Sequence, residues 1–201
     1  MEMISGGPGA EPGGPGAPVR YAVLLRGINV GRSRRVSMAD LTALCRRLGF
    51  PDATSYGQSG NLVLTAELRP LAVAARIEVG LAWELRLSDV DAIVRTGPDL
   101  ANIIAANPFL PVGADPEALY VIALKDAPGE TIEDDGGHVP DQFQIAGREV
   151  YLWCPRGYAA TKLTNTFFER HLGVRATARN WRTINALADR LATLNAARRA
   201  A

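Results

Sequence analysis

Four polar stretches carry side chains that could recognise a ligand. The first is Arg26-Gly27-Ile28-Asn29-Val30-Gly31, which follows the apolar run Tyr21–Leu25. Glycine accepts positive φ at no steric cost and Asn tolerates it better than most, so this is a loop suited to close backbone approach. Arg32, Arg34 and Arg35 follow, then Ser37 at a helix start. Free N–H groups and the positive dipole end at a helix N-terminus favour an anion. The plain alternative is a solvated turn. Gly27 and Gly31 are four apart, which fits neither the dinucleotide nor the P-loop glycine spacing.

The second stretch, Gln58-Ser59-Gly60-Asn61, clusters donors and acceptors around a glycine. A tight turn stabilised by Ser and Asn is the simpler reading. Ser59 has no histidine or acid beside it, so it is a poor nucleophile. A simple hairpin picture puts this turn and the Arg26 loop at opposite ends. The third stretch holds Lys162, read as the start of a helix over 162–172, with Thr161 or Thr164 as its cap. A lysine among arginines can serve as a compact, deprotonatable ammonium, or sit idle on the surface. The fourth is Arg179-Asn180-Trp181-Arg182. Asn180 suits an N-cap and Trp181 a packing role. The flanking arginines could instead clamp a phosphate while the ring stacks a base. Tyr151 and Trp153 alternate on one strand, but the RNA-recognition aromatic pattern is absent, and a covered core face is the better reading.

The elements that position these stretches follow from periodicity. Tyr21–Arg26 reads as a strand. Ser37 with Asp40 caps a helix bearing Met38, Leu41, Leu44, Cys45 and Leu48, which Gly49 ends. Ala53–Tyr56 and Leu62–Thr65 are short strands. Pro70 opens a helix with Ala74, Ile77, Leu81 and Leu85 as its stripe, and Val90–Arg95 is a strand. That order is the split βαβ unit. Gly97-Pro98 leads a short helix over 99–106. The scheme then repeats with strands Leu119–Leu124, Gln142–Ile145, Glu149–Trp153 and Val174–Ala178. The weak place is 130–138, where Asp134-Asp135-Gly136-Gly137 opposes a helix. The Lys162 helix carries Leu163, Phe167 and Leu172 on one side, and a last helix carries Ile184, Leu187, Leu191 and Leu194. The expected fold is α+β: two tandem ferredoxin-like βαββαβ units with a C-terminal helix. Its parts are a disordered tail over 1–19, an N-terminal half over 20–97, a linker helix over 98–118 and a C-terminal half over 119–196. The Ala-Ala-Arg-Arg-Ala-Ala end is expected to fray.

At these residues the chain resembles the bacterial family called domain of unknown function 1697. The matching pieces run in order: Leu24 to Gly31, Met38-Ala39-Asp40-Leu41, Gln58-Ser59-Gly60-Asn61, Ile93-Val94-Arg95-Thr96, Ala106-Asn107-Pro108-Phe109, Lys162-Leu163-Thr164-Asn165 and Arg179 to Thr183. The resemblance implies a tandem ferredoxin-like fold and brings no activity. Gly57 and the glycines at 136–137 depart from the family pattern.

The 201 residues suit one domain or two small fused ones, and 47% hydrophobic content supports a real core. Net charge is +1, so no global field steers nucleic acid or membrane. Only Lys125 and Lys162 are lysines. Cys45 and Cys154 fall on apolar positions and read as buried free thiols. His138 and His171 lack partners at metal-ligand spacing, so neither a metal nor another cofactor is expected. No run of about 20 apolar residues or signal-like segment is present, and a cytoplasmic protein with no membrane partner is expected.

The leading functional reading is a binding module. Its cleft between the halves would be lined by Arg26, Asn29, Gln58, Ser59, Asn61, Lys162, Arg179, Asn180, Trp181 and Arg182, and would hold an anionic small molecule or nucleic acid. The alternatives are a metal-independent enzyme, with Lys162 as polariser or general acid and Asn29 and Asn61 orienting the substrate, and a scaffold for another protein.

Overall fold

The computed structural model describes residues 17–29 and 35–199, with side chains through residue 193. The expected tail over 1–16, the arginines at 32 and 34, the last two residues and the side chain of Leu194 lie outside these described residues. The tail boundary moves, because the first strand, β1, is Val19–Arg26. There follow α1 (Met38–Arg47), β2 (Thr54–Tyr56), β3 (Asn61–Ala66), α2 (Pro70–Leu85), β4 (Asp91–Thr96) and α3 (Gly97–Ala105). The second half runs β5 (Leu119–Leu124), β6 (Gln142–Ala146), β7 (Glu149–Trp153), α4 (Asn165–Leu172), β8 (Ala176–Asn180) and α5 (Trp181–Arg199).

Each half folds its strands into one antiparallel sheet of the same order, β2-β3-β1-β4 and β6-β7-β5-β8. This is the expected tandem of ferredoxin-like units. The second unit lacks its first helix. Residues 125–141 carry none, since Asp134 and Asp135 turn their carboxylates onto the N–H groups of Gly136 and Gly137, which favours turns over helix.

Three apolar layers hold the molecule. α1 and α2 cover the outer face of the first sheet through Leu41, Leu44, Val73, Ile77 and Leu81. Gly80 lets these helices approach closely, because a Cβ there would lie 2.5 Å from Leu48 Cδ1. α4 covers the outer face of the second sheet with Phe168 and Leu172. Phe168, not Phe167, is the fully buried ring of that helix. The middle layer joins the halves. Ala22, Leu24, Val63 and Ile93 from the first sheet meet Val121, Ala123 and Tyr151 from the second, with α3 and α5 between them. Tyr151 and Trp181 are core residues of this layer, so neither ring is free to stack a base.

Four of the five α-helices among the described residues have side-chain caps. Ser37 caps α1, Thr96 with Asp99 boxes α3, Thr164 caps α4, and Asn180 Oδ1 accepts from the Thr183 N–H at the start of α5. α2 is the exception. It begins on Pro70 after Arg69, with no side-chain cap and no acidic residue in its first turn. No helix among the described residues is long and apolar enough to cross a membrane.

Candidate functional site

The two halves meet along two seams related by the internal repeat. Across each seam, one edge strand sends an arginine into the other half. β8 lends Arg179 to the first sheet. Its five N–H groups all have acceptors. Nε donates to Asn61 Oδ1, in a short contact. Nη2 donates to Leu25 O at 2.9 Å and Ser59 O at 3.0 Å. Nη1 donates to Thr177 Oγ1 at 2.8 Å and Ala178 O at 2.7 Å. β4 lends Arg95 to the second sheet in the same way. Nε reaches Glu149 Oε1 at 2.8 Å, Nη2 reaches Leu124 O and Arg148 O, and Nη1 reaches Val94 O.

The registers make this correspondence exact in position. Arg95 pairs with Ala22 and Arg179 with Val121; Asn61 pairs with Leu24 and Glu149 with Ala123. Each seam also has a carboxylate clamp. Arg26 binds Glu169 through two 2.8 Å hydrogen bonds, and Glu169 also accepts the Ala176 N–H. Lys125 binds Glu78, which accepts the Ala92 N–H. At this seam Asp91 adds a second carboxylate, held by Lys125 and Arg175.

The repeat is broken at one chemically important place. Arg95 faces the carboxylate of Glu149, whereas Arg179 faces the neutral amide of Asn61. Burial pulls the Arg179 guanidinium down to about 10, and only the Tyr158 phenol opposes it. Burial also lowers Arg95, with Glu149 opposing.

The first seam gathers several of the residues expected to bind a ligand. The expectation that the Arg26 loop and the 58–61 turn lie at opposite ends is corrected. β1 and β3 are antiparallel, so Leu24 pairs with Asn61, and the Leu25 N–H donates to Gly60 O at 2.9 Å. The turn comes this close because Gly60 has φ +68° and an added Cβ would lie 2.4 Å from Ile28 Cγ2. Most of these side chains serve the fold. Arg26 is committed to Glu169, Asn61 to Arg179 and Tyr56 O, and Asn180 to its helix. Asn29 sits at φ 55° and clasps both the N–H and the carbonyl of Val36. Lys162 precedes α4 rather than starting it, because Thr164 is the cap. Gln58, Ser59, Lys162 and Arg182 are exposed.

The second seam holds a groove of about 730 Å³. The α2 N-terminus forms one wall, through Arg69, Pro70, Leu71 and Ala74. β4 and Thr96 form the floor, and Lys125, Asp126, Ala127 and Arg148 close it from the second half. Such a volume is in the range of small-molecule sites. Lys125 is neutralised by its clamp, and Asp99 is spent on Thr96. Among the described residues, neither Arg69 nor Arg148 has a carboxylate partner. The groove therefore combines an uncapped helix N-terminus with two uncommitted guanidinium groups. One of these, Arg148, already repels the buried Arg95.

This order of elements, with its Leu24-Leu25-Arg26-Gly27 and Gln58-Ser59-Gly60-Asn61 segments interlocked, agrees with a family match over residues 19–151 to the family described as protein of unknown function (DUF1697). The chain belongs to that family. A solved structure of a conserved bacterial protein from Streptococcus pneumoniae shares the fold of this DUF1697 member. It has a TM-score of 0.64 and 21% identity, covering 87% of this chain and 99% of that one. No curated protein sequence matches the chain.

Sequence reasoning missed Arg69, Lys125, Arg148 and the paired role of Arg95. Aligning the halves exposes the last: Val94-Arg95-Thr96 and Ala178-Arg179-Asn180 share one register position. Both thiols are buried, and burial raises Cys45 and Cys154 to about 11, so they stay protonated. Both histidines pack against Phe167, at ring distances of 5.2 and 4.2 Å. No group of three or more His, Cys, Asp or Glu among the described residues is placed to hold a metal.

Proposed function

We propose that this protein is a binding module for a phosphate-bearing or other anionic small molecule, held in the groove between its halves. One observation carries the reading: the uncapped N-terminus of α2 opens on the groove beside Arg69 and Arg148, which have no carboxylate partner among the described residues. The positive end of the helix dipole favours an anion there, although Pro70 has no N–H and the Ala72 and Val73 N–H groups already donate to Arg69 O, and guanidinium groups can grip phosphate bidentately. Pro70, Leu71 and Ala127 add an apolar rim for a ligand body. The two free buried thiols fit a cytoplasmic setting, which is part of the same reading.

Calorimetric titration with pyrophosphate, nucleotides and short single-stranded oligonucleotides at two salt concentrations tests this. Saturable binding that weakens with salt is expected. Hydrogen bonds to charged groups contribute about 1.5–3 kcal/mol each, so Arg69→Ala with Arg148→Ala should weaken it at least tenfold. Lys162→Ala with Arg182→Ala, exposed residues outside the groove lining, should leave it unchanged. Binding abolished by the second pair alone would move the site out of this groove. No saturable binding by any probe would end the anion reading.

A further inference from the structure

The outer face of α2 is unlike the solvent face of an ordinary surface helix. Leu71, Ala75, Val79 and Trp83 follow one another at four-residue spacing and form one ridge. Leu71 is 73% exposed, Val79 58% and Trp83 80%. Ala72 and Ala75 beside them are exposed too. The nearby carboxylate of Glu84 is turned away onto Arg47, at 2.6 Å. Single exposed apolar residues need no explanation, but a continuous ridge ending in an open Trp does.

We infer that this ridge is a homodimer interface, in which α2 packs antiparallel on α2 of a second copy. The residue order is self-complementary about the level of Ile77. A two-fold axis there sets Leu71 against Trp83 of the other copy, Ala75 against Val79, and Ala72 against Ala82. Large meets large only at the ends, and an Ala faces each Val in the middle. That is the shape that lets the ridge of one helix lie in the groove of another at the shallow crossing of about 20° that keeps the two helices side by side to their ends. Charge agrees with shape. Glu67 lies just before the helix and Arg86 just after it, both exposed and neither in an ion pair among the described residues. The same axis sets each Glu67 within one residue of the level of the other copy's Arg86, where it offsets the neighbouring Arg69. An interface isologous in this way closes on itself and stops at two copies. A membrane surface would favour an all-basic rim, and the acidic Glu67 argues for the second copy.

The helix has 16 residues, about 24 Å at 1.5 Å rise per residue, so the ridge alone buries less than the roughly 1,200 Å² of a stable standard interface. The dimer is therefore weak, forming in the micromolar range or above. Leu71 belongs both to this ridge and to the groove wall, so the interface borders the ligand site at that end of α2. Sedimentation equilibrium of the full chain across a hundredfold concentration range tests it. The apparent mass should rise from 21.5 kDa toward twice that value, with a blue shift of Trp emission as Trp83 leaves water. Trp83→Ser and Val79→Arg should hold the mass at the monomer value. Arg86→Glu should weaken association about tenfold, and adding Glu67→Arg should restore it. A chain monomeric throughout would overturn the inference. So would a dimer indifferent to Trp83 and Val79, or vesicle binding without self-association.

Discussion

A buried arginine with no carboxylate partner is costly unless every donor is satisfied, and Arg179 meets that condition with five neutral oxygens. Three of those acceptors, from Leu25, Ser59 and Asn61, belong to the other half. Removing the guanidinium strands several buried acceptors, each worth about 1–3 kcal/mol. Arg179→Ala should therefore cost about 3–5 kcal/mol, read as a lower urea midpoint. Arg179→Lys should recover only part of it, because an ammonium has three donors and no planar fork. Equal stability of the Lys variant and the parent would show that charge alone suffices. Arg95→Ala should lose as much or more, since it also leaves Glu149 without its cation.

At the scale of elements, each seam is closed by a carboxylate that ties a helix to a strand end and to a cation of the other half. For Glu169, burial alone would raise the carboxyl; hydrogen bonds from Arg26 and the Ala176 N–H, with the charges of Arg26 and Arg175, outweigh it and leave it lowered. For Asp91, burial also acts upward, and the bonds and charges of Lys125 and Arg175 win. Folded values below the unfolded ones mean that the unfolded chain binds protons first as pH falls. The stabilisation is complete above the ordinary carboxylate range of about 4 and fades as pH drops through the folded values. The urea midpoint should stay flat from neutral to about pH 5 and fall below about pH 4. Arg26→Met leaves Glu169 half-buried without its cation, so its deficit against the parent should be largest at pH 7 and shrink in acid. A constant deficit at both ends would remove the pair from the acid response. Much of this scale was legible in the chain. Ser37 with Asp40, Pro70 and the 3,4 spacing of Ile184, Leu187 and Leu191 announce their helices through local chemistry. Leu119–Leu124 announces its strand through unbroken apolarity. What was not legible is nonlocal. No local signal says that Arg179 is spent on Leu25 and Asn61, or that Lys125 rather than Lys162 closes a seam. The start of α4 was misplaced because Thr161 and Thr164 are equally good caps by type; Thr164 Oγ1 accepts the Phe167 N–H and caps the helix, whereas Thr161 Oγ1 accepts the Leu163 N–H in a preceding turn.

At the scale of the whole molecule, the middle layer makes the halves one folding unit. Ala22, Leu24 and Ile93 of the first sheet, with Leu100 and Ile103 of α3, form a face that packs on α5, Phe109 and the second sheet. A fragment spanning 17–106 would expose that face and leave the acceptors of Arg179 unpaired. Burial of apolar area is the main favourable term in folding, and a half of this size buries too small a fraction of its surface to lose an entire face. Trp153 and Trp181 both border the middle layer, so their fluorescence reports the contact between halves while circular dichroism reports all helices. Urea unfolding followed by the two signals should give one shared midpoint, the mark of a single cooperative transition. The 17–106 fragment should be unfolded or aggregated alone and gain helix when the second half is added. Two separated midpoints, or a monomeric fragment with native helix content, would mean that each sheet and its outer helices suffice without the other half. Cooperativity of this kind bears on the groove as well. Its walls come from both halves, so a ligand bound there should raise the single midpoint and leave it single.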